Sequence, residues 1–420
     1  MPRRCVRVTV QVDGVDLVCG TLDQSVRNGR ESLAFSYDAG YLEHPRAFAL
    51  SPDMPLGPGA FYSSGVSELR VFGDCMPDRW GRNLMRREEA RIAREEARTP
   101  RTLFDLDLLC GVDDAQRQGA IRLWDEDGVV LSAAGAGVPR EVELPALLDA
   151  ADLAADDLSA DVRDLFAAGS SLGGARPKAS VVDADGTLSI AKFPRKGESA
   201  LDDVCAWEKV ALDIFAACGL AVPASRLLRL SGRSVLLVKR FDREGVRRIP
   251  YLSGISAIGG RDGADGYSYL DLADFLAQEG ADARADKRHL WLHALLSAAL
   301  GNTDNHMRNF GFLRDGRGRG WCLSPFFDVN PTRLETGRSF AVGVADADAP
   351  HSVETVMECA GFFDVGQDEA RALAGRARDA VADWRRFALS AGIKDASVEA
   401  MRGRMESGIA DLGRFSLSKS

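Results

Sequence analysis

Apolar and polar side chains alternate through residues 4–50, led by Val6, Val8 and Val10 and broken at Gly14, Gly20 and Gly40. A period of two marks half-buried strands, so this stretch predicts a meander of short strands. Residues 64–95 then hold Gly73-Asp74-Cys75-Met76-Pro77-Asp78-Arg79-Trp80-Gly81-Arg82 and pass into a charge-dense, helix-favouring run. No nucleophile and base stand together there, so a buried tryptophan beside an exposed helix is the reading. Residues 107–124 return to strand through Gly111 and Gly119. After a loop at 135–139, the acidic, alanine-rich stretch 144–164 places Leu144, Leu147 and Leu148 on one helical face and reads as a solvated connector.

The loop at 168–178 is different in kind. Gly173 and Gly174 permit close backbone approach, free N–H groups there can cradle phosphate oxygens, and Arg176 and Lys178 add positive charge. Neither standard phosphate-loop fingerprint occurs, and a plain hairpin turn remains open for this segment alone. Strands at 179–182 and 188–194 flank a turn at Asp185-Gly186, and alternation sets Lys192 on the face of Leu188 and Ile190. Such a lysine needs a partner. The helix expected over 201–218 offers Glu208, which is either that partner or one more exposed helix charge. A strand at 234–238 then leads into Lys239, Arg240 and Phe241, where backbone groups of an ATP-using enzyme would meet adenine; a charged edge strand is the alternative.

From residue 256 the pattern turns helical, at 269–277 and then at 287–300, which is apolar on nearly every side and therefore buried. His293 on it reads as a core histidine rather than a ligand. A strand from Trp321 runs toward Asp328, and amphipathic helices at 367–389 and 398–412 complete a helical part.

Composition narrows the field. A 420-residue chain with 45% hydrophobic residues can support two or three units with real cores. A net charge of −9 argues against autonomous nucleic-acid binding, so any DNA contact is expected through a partner. Eight scattered cysteines without a C-x-x-C pair read as reduced thiols of a cytoplasmic protein, and neither a signal peptide nor a membrane span is expected.

The buried helix delivers the chain into Gly301-Asn302-Thr303-Asp304-Asn305-His306-Met307-Arg308-Asn309-Phe310, followed by Ser324-Pro325-Phe326-Phe327-Asp328. An acid, an amide and a second acid in this order are what phosphoryl transfer needs: one carboxylate for the attacking hydroxyl, an amide and a carboxylate for Mg²⁺. Local turn chemistry of Asn and Asp is the competing explanation.

Taken together, the glycine loop, strand lysine, helix glutamate, hinge strand, Asn-Thr-Asp-x-His-x-x-Asn and Pro-x-x-Asp resemble the HipA-type toxin kinases of bacterial type II toxin–antitoxin systems. The resemblance spans the chain, including Met76 to Arg82, Gly119-Ala120-Ile121-Arg122, Ile249-Pro250-Tyr251 and Ser268-Tyr269-Leu270. It implies an α+β, two-lobed protein-kinase-like fold with an added N-terminal β-rich subdomain (1–125), a kinase N-lobe (126–243) and a helical C-lobe (244–420). It further implies ATP- and Mg-dependent phosphorylation of a serine or threonine in a protein, and a HipB-type helix-turn-helix antitoxin that brings DNA only indirectly. By resemblance, Asp304 is the base, Asn309 and Asp328 are the metal ligands, Lys192 binds the triphosphate and Glu208 pairs with it. Gly173, Gly174, Ala175, Arg176, Pro177 and Lys178 form the phosphate-side loop, Lys239, Arg240 and Phe241 the hinge, and His306, Met307, Arg308 and Asn309 further nucleotide contacts. Ser171, with Ser170 adjacent, takes the place of an inactivating autophosphorylation site. A kinase-like co-repressor scaffold and a small-molecule kinase are the rival readings.

Overall fold

Val6, Val8 and Val10 point inward from β1 (Arg4–Val12) at 0–1% exposure, as the alternation predicts. The computed structural model describes the chain outside residues 1–3, 66–68, 133–137, 157–175, 200, 262, 265, 335–339, 346–350 and 417–420, and outside the side chains of 79, 80 and 154–156. Two units divide it, one formed by Met1–Lys196 with Val238–Leu252, the other by Gly197–Leu237 with Ser253–Ser420.

In the first unit β1 is joined by β2 (Val15–Arg27), β3 (Arg30–Tyr37), β4 (Ala60–Ser63) and β5 (Ile121–Trp124) in an antiparallel sheet of order β4-β3-β2-β1-β5. A bulge at Val8/Thr9 falls opposite Gly20, where a Cβ would lie 2.2 Å from the Ser36 carbonyl, so only glycine fits. The Asp78 carboxylate caps α1 (Arg79–Glu95) by accepting from Gly81 N at 2.7 Å.

Residues 107–124 are mostly not strand. Asp107 instead bonds the backbone N–H of Phe104 and starts α2 (Asp105–Cys110), which buries Leu106, Leu108 and Leu109, leaving β5 alone as strand. The expected solvated connector also differs, because Leu144, Leu147, Leu148 and Ala151 of α3 (Leu144–Asp156) are all buried. β6 (Lys178–Val182) and β7 (Leu188–Lys192) form the expected antiparallel hairpin, with Leu188, Ile190 and Lys192 sharing one half-buried face.

An ionic core sits in this unit. The fully buried Arg117 donates to Asp114 at 3.0 Å and to the Val112 and Leu131 carbonyls. Asp242 accepts from Gly119 N at 2.8 Å, from Arg240 at 2.6 Å and from Arg243 at 2.8 Å. Burial alone would raise the Asp242 carboxyl, yet Arg240 and Arg243 hold it well below the usual range.

The second unit has α4 (Val204–Ala217), whose Trp207 donates to Ser397 Oγ at 3.0 Å, then β8 (Ser225–Leu230) and β9 (Arg233–Lys239), whose last two residues belong to the first unit. Helices α5 (Tyr269–Glu279) and α6 (Ala283–Leu300), the hairpin of β10 (Gly311–Arg314) and β11 (Trp321–Leu323), α7 (Val353–Glu358), α8 (Gln367–Ala382), α9 (Trp384–Ser390) and α10 (Asp395–Phe415) follow. Every residue of α6 from Leu290 to Leu300 is buried, as its unbroken apolar pattern predicts. Gly408 of α10 packs so closely on it that a Cβ would meet the Ala299 carbonyl at 2.4 Å. The single helix expected at 367–389 is broken at Asp383, and beyond the break Trp384 is buried with its ring 6.2 Å from that of Trp207. Among the described residues no helix is long and apolar enough to cross a membrane, and all eight cysteines are unpaired thiols.

Candidate active site

α6 stops where Gly301 turns left-handed, at φ 65° and ψ 45°. The absence of a side chain matters twice: φ is positive, and a Cβ would sit 2.7 Å from the Arg404 guanidinium. Arg404 in turn donates to the Thr332 carbonyl at 2.8 Å.

The loop beyond is held by its polar side chains. Asn302, Thr303 and Asn305 are buried, while Asp304 between them is exposed. Asn302 Oδ1 accepts from Asn330 N at 3.1 Å, the Thr303 carbonyl accepts from Ala341 N at 3.0 Å, and Asn305 Nδ2 donates to Tyr269 Oη at 2.6 Å. Three buried anchors thus present an exposed carboxylate. Behind it, the Asp304 carbonyl accepts from Asn309 Nδ2 at 2.9 Å and from His306 N at 3.2 Å, closing a turn of 3₁₀ helix at Met307–Asn309.

Asp328 lies on the segment tied to this loop through the Asn330–Asn302 bond. Its φ of 58° is a left-handed conformation that Asp tolerates better than most residues, and Asn330 Nδ2 steadies it by donating to its carbonyl and Oδ1 at 3.3 and 3.4 Å. Asp304, Asn309 and Asp328 supply carboxylate and amide oxygens, hard donors suited to Mg²⁺. The donor set fits: Asn309 uses its Nδ2 on Asp304, leaving Oδ1 as the atom for a cation.

Under the loop Tyr269 Oη also meets His293 Nδ1 at 3.0 Å. Burial pushes the phenol up and the imidazole down to about 3, so both are neutral and the phenolic hydrogen is available to Nδ1. His293 is therefore a core histidine, as expected, edged by Phe215, Phe310 and Phe326.

The remaining expected residues are distributed over both units. Lys192 ends β7 in the first unit. Glu208 on α4, in the second, is only 3% exposed, which removes the reading of it as a solvated helix charge. Arg176 and Pro177 are half-buried, and Lys178 on β6 is buried with its ammonium 3.6 Å from Asp78 Oδ2. Ser170, Ser171, Gly173, Gly174 and Ala175 lie outside the described residues.

Of the hinge, Lys239 is exposed and Phe241 half-buried, its ring 6.3 Å from that of Tyr251. The Arg240 guanidinium is committed to Asp242 and to the Gln116 and Arg117 carbonyls, and its N–H to the Leu188 carbonyl. Its side chain and its N–H are thus both engaged within the fold.

Sequence reasoning missed Tyr269, Asn330 and Asn302 as the supports of this site. The available signal for Tyr269 was its place directly after the cap Ser268, in a Ser-x-x-Asp box whose Asp271 returns a bond to Ser268 N at 2.6 Å.

Comparison with known proteins agrees with this architecture. Residues 170–409 match the HipA-like C-terminal domain and residues 11–112 the HipA N-terminal domain. Y4mE of Sinorhizobium fredii, named by inference as a kinase, is 26% identical over 343 residues, 74% of each chain. A HipA chain from the Shewanella oneidensis MR-1 toxin–antitoxin complex of HipA, HipB and operator DNA superposes with a TM-score of 0.65 at 15% identity, covering 98% of this chain and 97% of that one. The α+β, kinase-like fold is accordingly shared with HipA, and the chain belongs to the HipA-like family.

Proposed function

We propose that this protein is an ATP- and Mg-dependent serine/threonine protein kinase, the toxin of a type II toxin–antitoxin module. The observation that carries the reading is the exposed Asp304 carboxylate, set between buried Asn302, Thr303 and Asn305 and backed by the Asn309 amide. Asp304 orients the acceptor hydroxyl and takes its proton as that oxygen attacks the γ-phosphorus of ATP and ADP leaves. Asn309 and Asp328 hold Mg²⁺, which when bound neutralises charge on the triphosphate. Lys192 contacts the phosphates and is oriented by Glu208, a buried carboxylate that calls for a cation. Gly173, Gly174, Ala175, Arg176, Pro177 and Lys178 cover the phosphates, Lys239 to Phe241 receive the adenine, and His306, Met307 and Arg308 complete the nucleotide contacts.

The same reading divides the chain into an N-terminal subdomain, 1–125, an N-lobe, 126–243, and a C-lobe, 244–420. It gives the protein a HipB-type partner, which would carry the DNA contact that a chain of net charge −9 is ill-suited to make. The Shewanella HipA was solved with HipB and operator DNA, which supports such a partner. Autophosphorylation of Ser171, or of Ser170 beside it, would place a dianion in the phosphate-side loop and shut the enzyme off.

The test is incubation of purified protein with labelled ATP, Mg²⁺, a cell extract and a metabolite mixture, followed by phosphopeptide mass spectrometry. Label on protein Ser or Thr, lost with Asp304→Ala, is the expected result. Label on metabolites alone identifies a small-molecule kinase, and no label at all leaves a scaffold.

A further inference from the structure

Two lysines meet where the phosphate-side loop ends, within the first unit. Lys178 opens β6 and Lys192 closes β7, and the register of the hairpin sets them directly opposite each other. The next pair outward is hydrogen-bonded, since the Pro177 carbonyl accepts from Phe193 N at 3.0 Å. Hydrogen-bonded and non-hydrogen-bonded pairs alternate along an antiparallel ladder. Lys178 and Lys192 therefore form a non-hydrogen-bonded pair, in which side chains leave the same face with Cβ atoms about 4.5–5.5 Å apart. Like charges at that spacing repel, and Lys178 is buried, so water and salt screen the repulsion poorly.

A carboxylate from a distant segment meets this pair. Asp78 stands at the start of α1, and its Oδ2 lies 3.6 Å from the Lys178 ammonium, the two side chains being 4% and 10% exposed. Its other oxygen is fixed: Oδ1 accepts from Gly81 N at 2.7 Å, so the helix start holds the carboxylate in place. At 3.6 Å the contact is an ion pair and not a hydrogen bond, and it uses none of the three ammonium donors. A lysine is a point charge on a flexible stem, so a fixed anion beside it decides where the charge stands.

We infer that Asp78 is a positioning residue for nucleotide: it offsets the repulsion between Lys178 and Lys192 and holds the Lys178 ammonium where both lysines serve the phosphates. The inference rests on the kinase reading, in which both lysines contact the triphosphate, and it gives the Met76–Arg82 stretch a part in ATP affinity.

A double-mutant cycle on the full chain tests it, read as Kd for a fluorescent ATP analogue and as KM for ATP in phosphotransfer. Asp78→Asn keeps an oxygen for Gly81 N, and Asn caps helices as well as Asp, so only the charge is lost. It is expected to raise Kd and KM about tenfold, with kcat within about twofold of wild type. Lys178→Met raises them as well, and Asp78→Asn added to it changes neither further, because the group through which Asp78 acts is gone; independent roles would multiply to about a hundredfold. The double variant strands no buried charge and should melt closer to wild type than Asp78→Asn does, so its comparison with Lys178→Met stands even where the single Asp78 variant folds poorly. An Asp78→Asn or Lys178→Met chain that binds ATP as well as wild type or better, or factors that multiply, overturns the inference while leaving the kinase standing. A wild type that neither binds ATP nor transfers its phosphate sinks the kinase reading, and this inference with it.

Discussion

Asn305 hands its side-chain N–H to the phenol of Tyr269 across 2.6 Å, and both groups are fully enclosed. Asn305 is the immediate neighbour of Asp304, so the bond fixes the backbone that aims the candidate base. Tyr269 also receives the segment carrying Ala341, through its own N–H on the Gly343 carbonyl at 3.1 Å. Tyr269→Phe removes one oxygen and leaves a buried amide without its acceptor, a cost of about 1–3 kcal/mol. We expect kcat to fall about tenfold with little change in KM for ATP, and faster amide exchange in the peptide covering residues 301–310. Adding Asn305→Leu removes the orphaned amide and should restore thermal stability but not turnover. Recovery of both together would mean that Tyr269 only stabilises the fold.

The bonds that shape the turn reach Asp304 through its carbonyl, not its carboxylate. Asp304→Ala therefore keeps the turn and should unfold within a degree or two of wild type, while phosphotransfer drops by about 10²–10³ or more. At position 328 the left-handed φ argues for Asn over Ala as the cleaner change, since Asn accepts that conformation and still meets Asn330. Asp328→Asn should abolish Mg²⁺-dependent turnover and weaken Mg²⁺ titration of nucleotide binding. Turnover at the wild-type rate in either purified variant removes that residue from the site.

Much of the fold was legible because it is periodic or local. The valines of β1 alternate, α6 is apolar on all sides, and Asp304 and Asn309 fall in one turn joined by the Asn309 amide. What stayed hidden depends on contacts between distant segments. Asn302 reaches Asn330 and Asn305 reaches Tyr269, pairings of polar side chains that no spacing rule marks. Asp107 carries an acidic residue into what looked like a strand, and only its bond back to Phe104 N reveals a helix start. The stretches Met76–Arg82 and Gly119–Arg122 were recognisable by resemblance yet gave no hint of their work. In the structure Asp78 caps α1 and faces Lys178, while Gly119 at φ 73° lets its N–H reach Asp242.

Asp286 on α6 supplies a pH-dependent prediction. Burial, with some repulsion from Asp282, raises its carboxyl to about 6 even though it accepts from Leu323 N at 3.0 Å. The folded state therefore binds this proton more tightly than the unfolded chain does. The stability this contributes is fully present below about pH 4 and is lost progressively as pH rises to about 6. Asp286→Asn keeps an acceptor for Leu323 without the charge. It should raise stability at pH 7.5 by about 1–2 kcal/mol, after allowing for partial solvent screening, and change little at pH 4. Equal gains at both pH values would point to packing rather than titration.

Asp242 ties the 239–243 segment to residues 116–119 of the same unit with one carboxylate. It bonds Gly119 N, Arg240 and Arg243, and Arg240 carries those bonds onward to the carbonyls of residues 116 and 117. Asp242→Ala strands two buried guanidinium groups, a loss of about 3–5 kcal/mol, or roughly 10 °C in the melting of this unit. Because Asp242 and Arg240 are shielded from water, raising salt from 0.1 to 1 M should leave the deficit in place, unlike that of a surface pair such as Arg247 with Glu244. Lys239 and Phe241 flank the freed Arg240, so their backbone loses its fixed position. KM for ATP should then rise even in the folded fraction at low temperature. A variant whose melting falls as predicted but whose KM for ATP is unchanged would separate the ionic core from the hinge, and would move the adenine contacts to another segment.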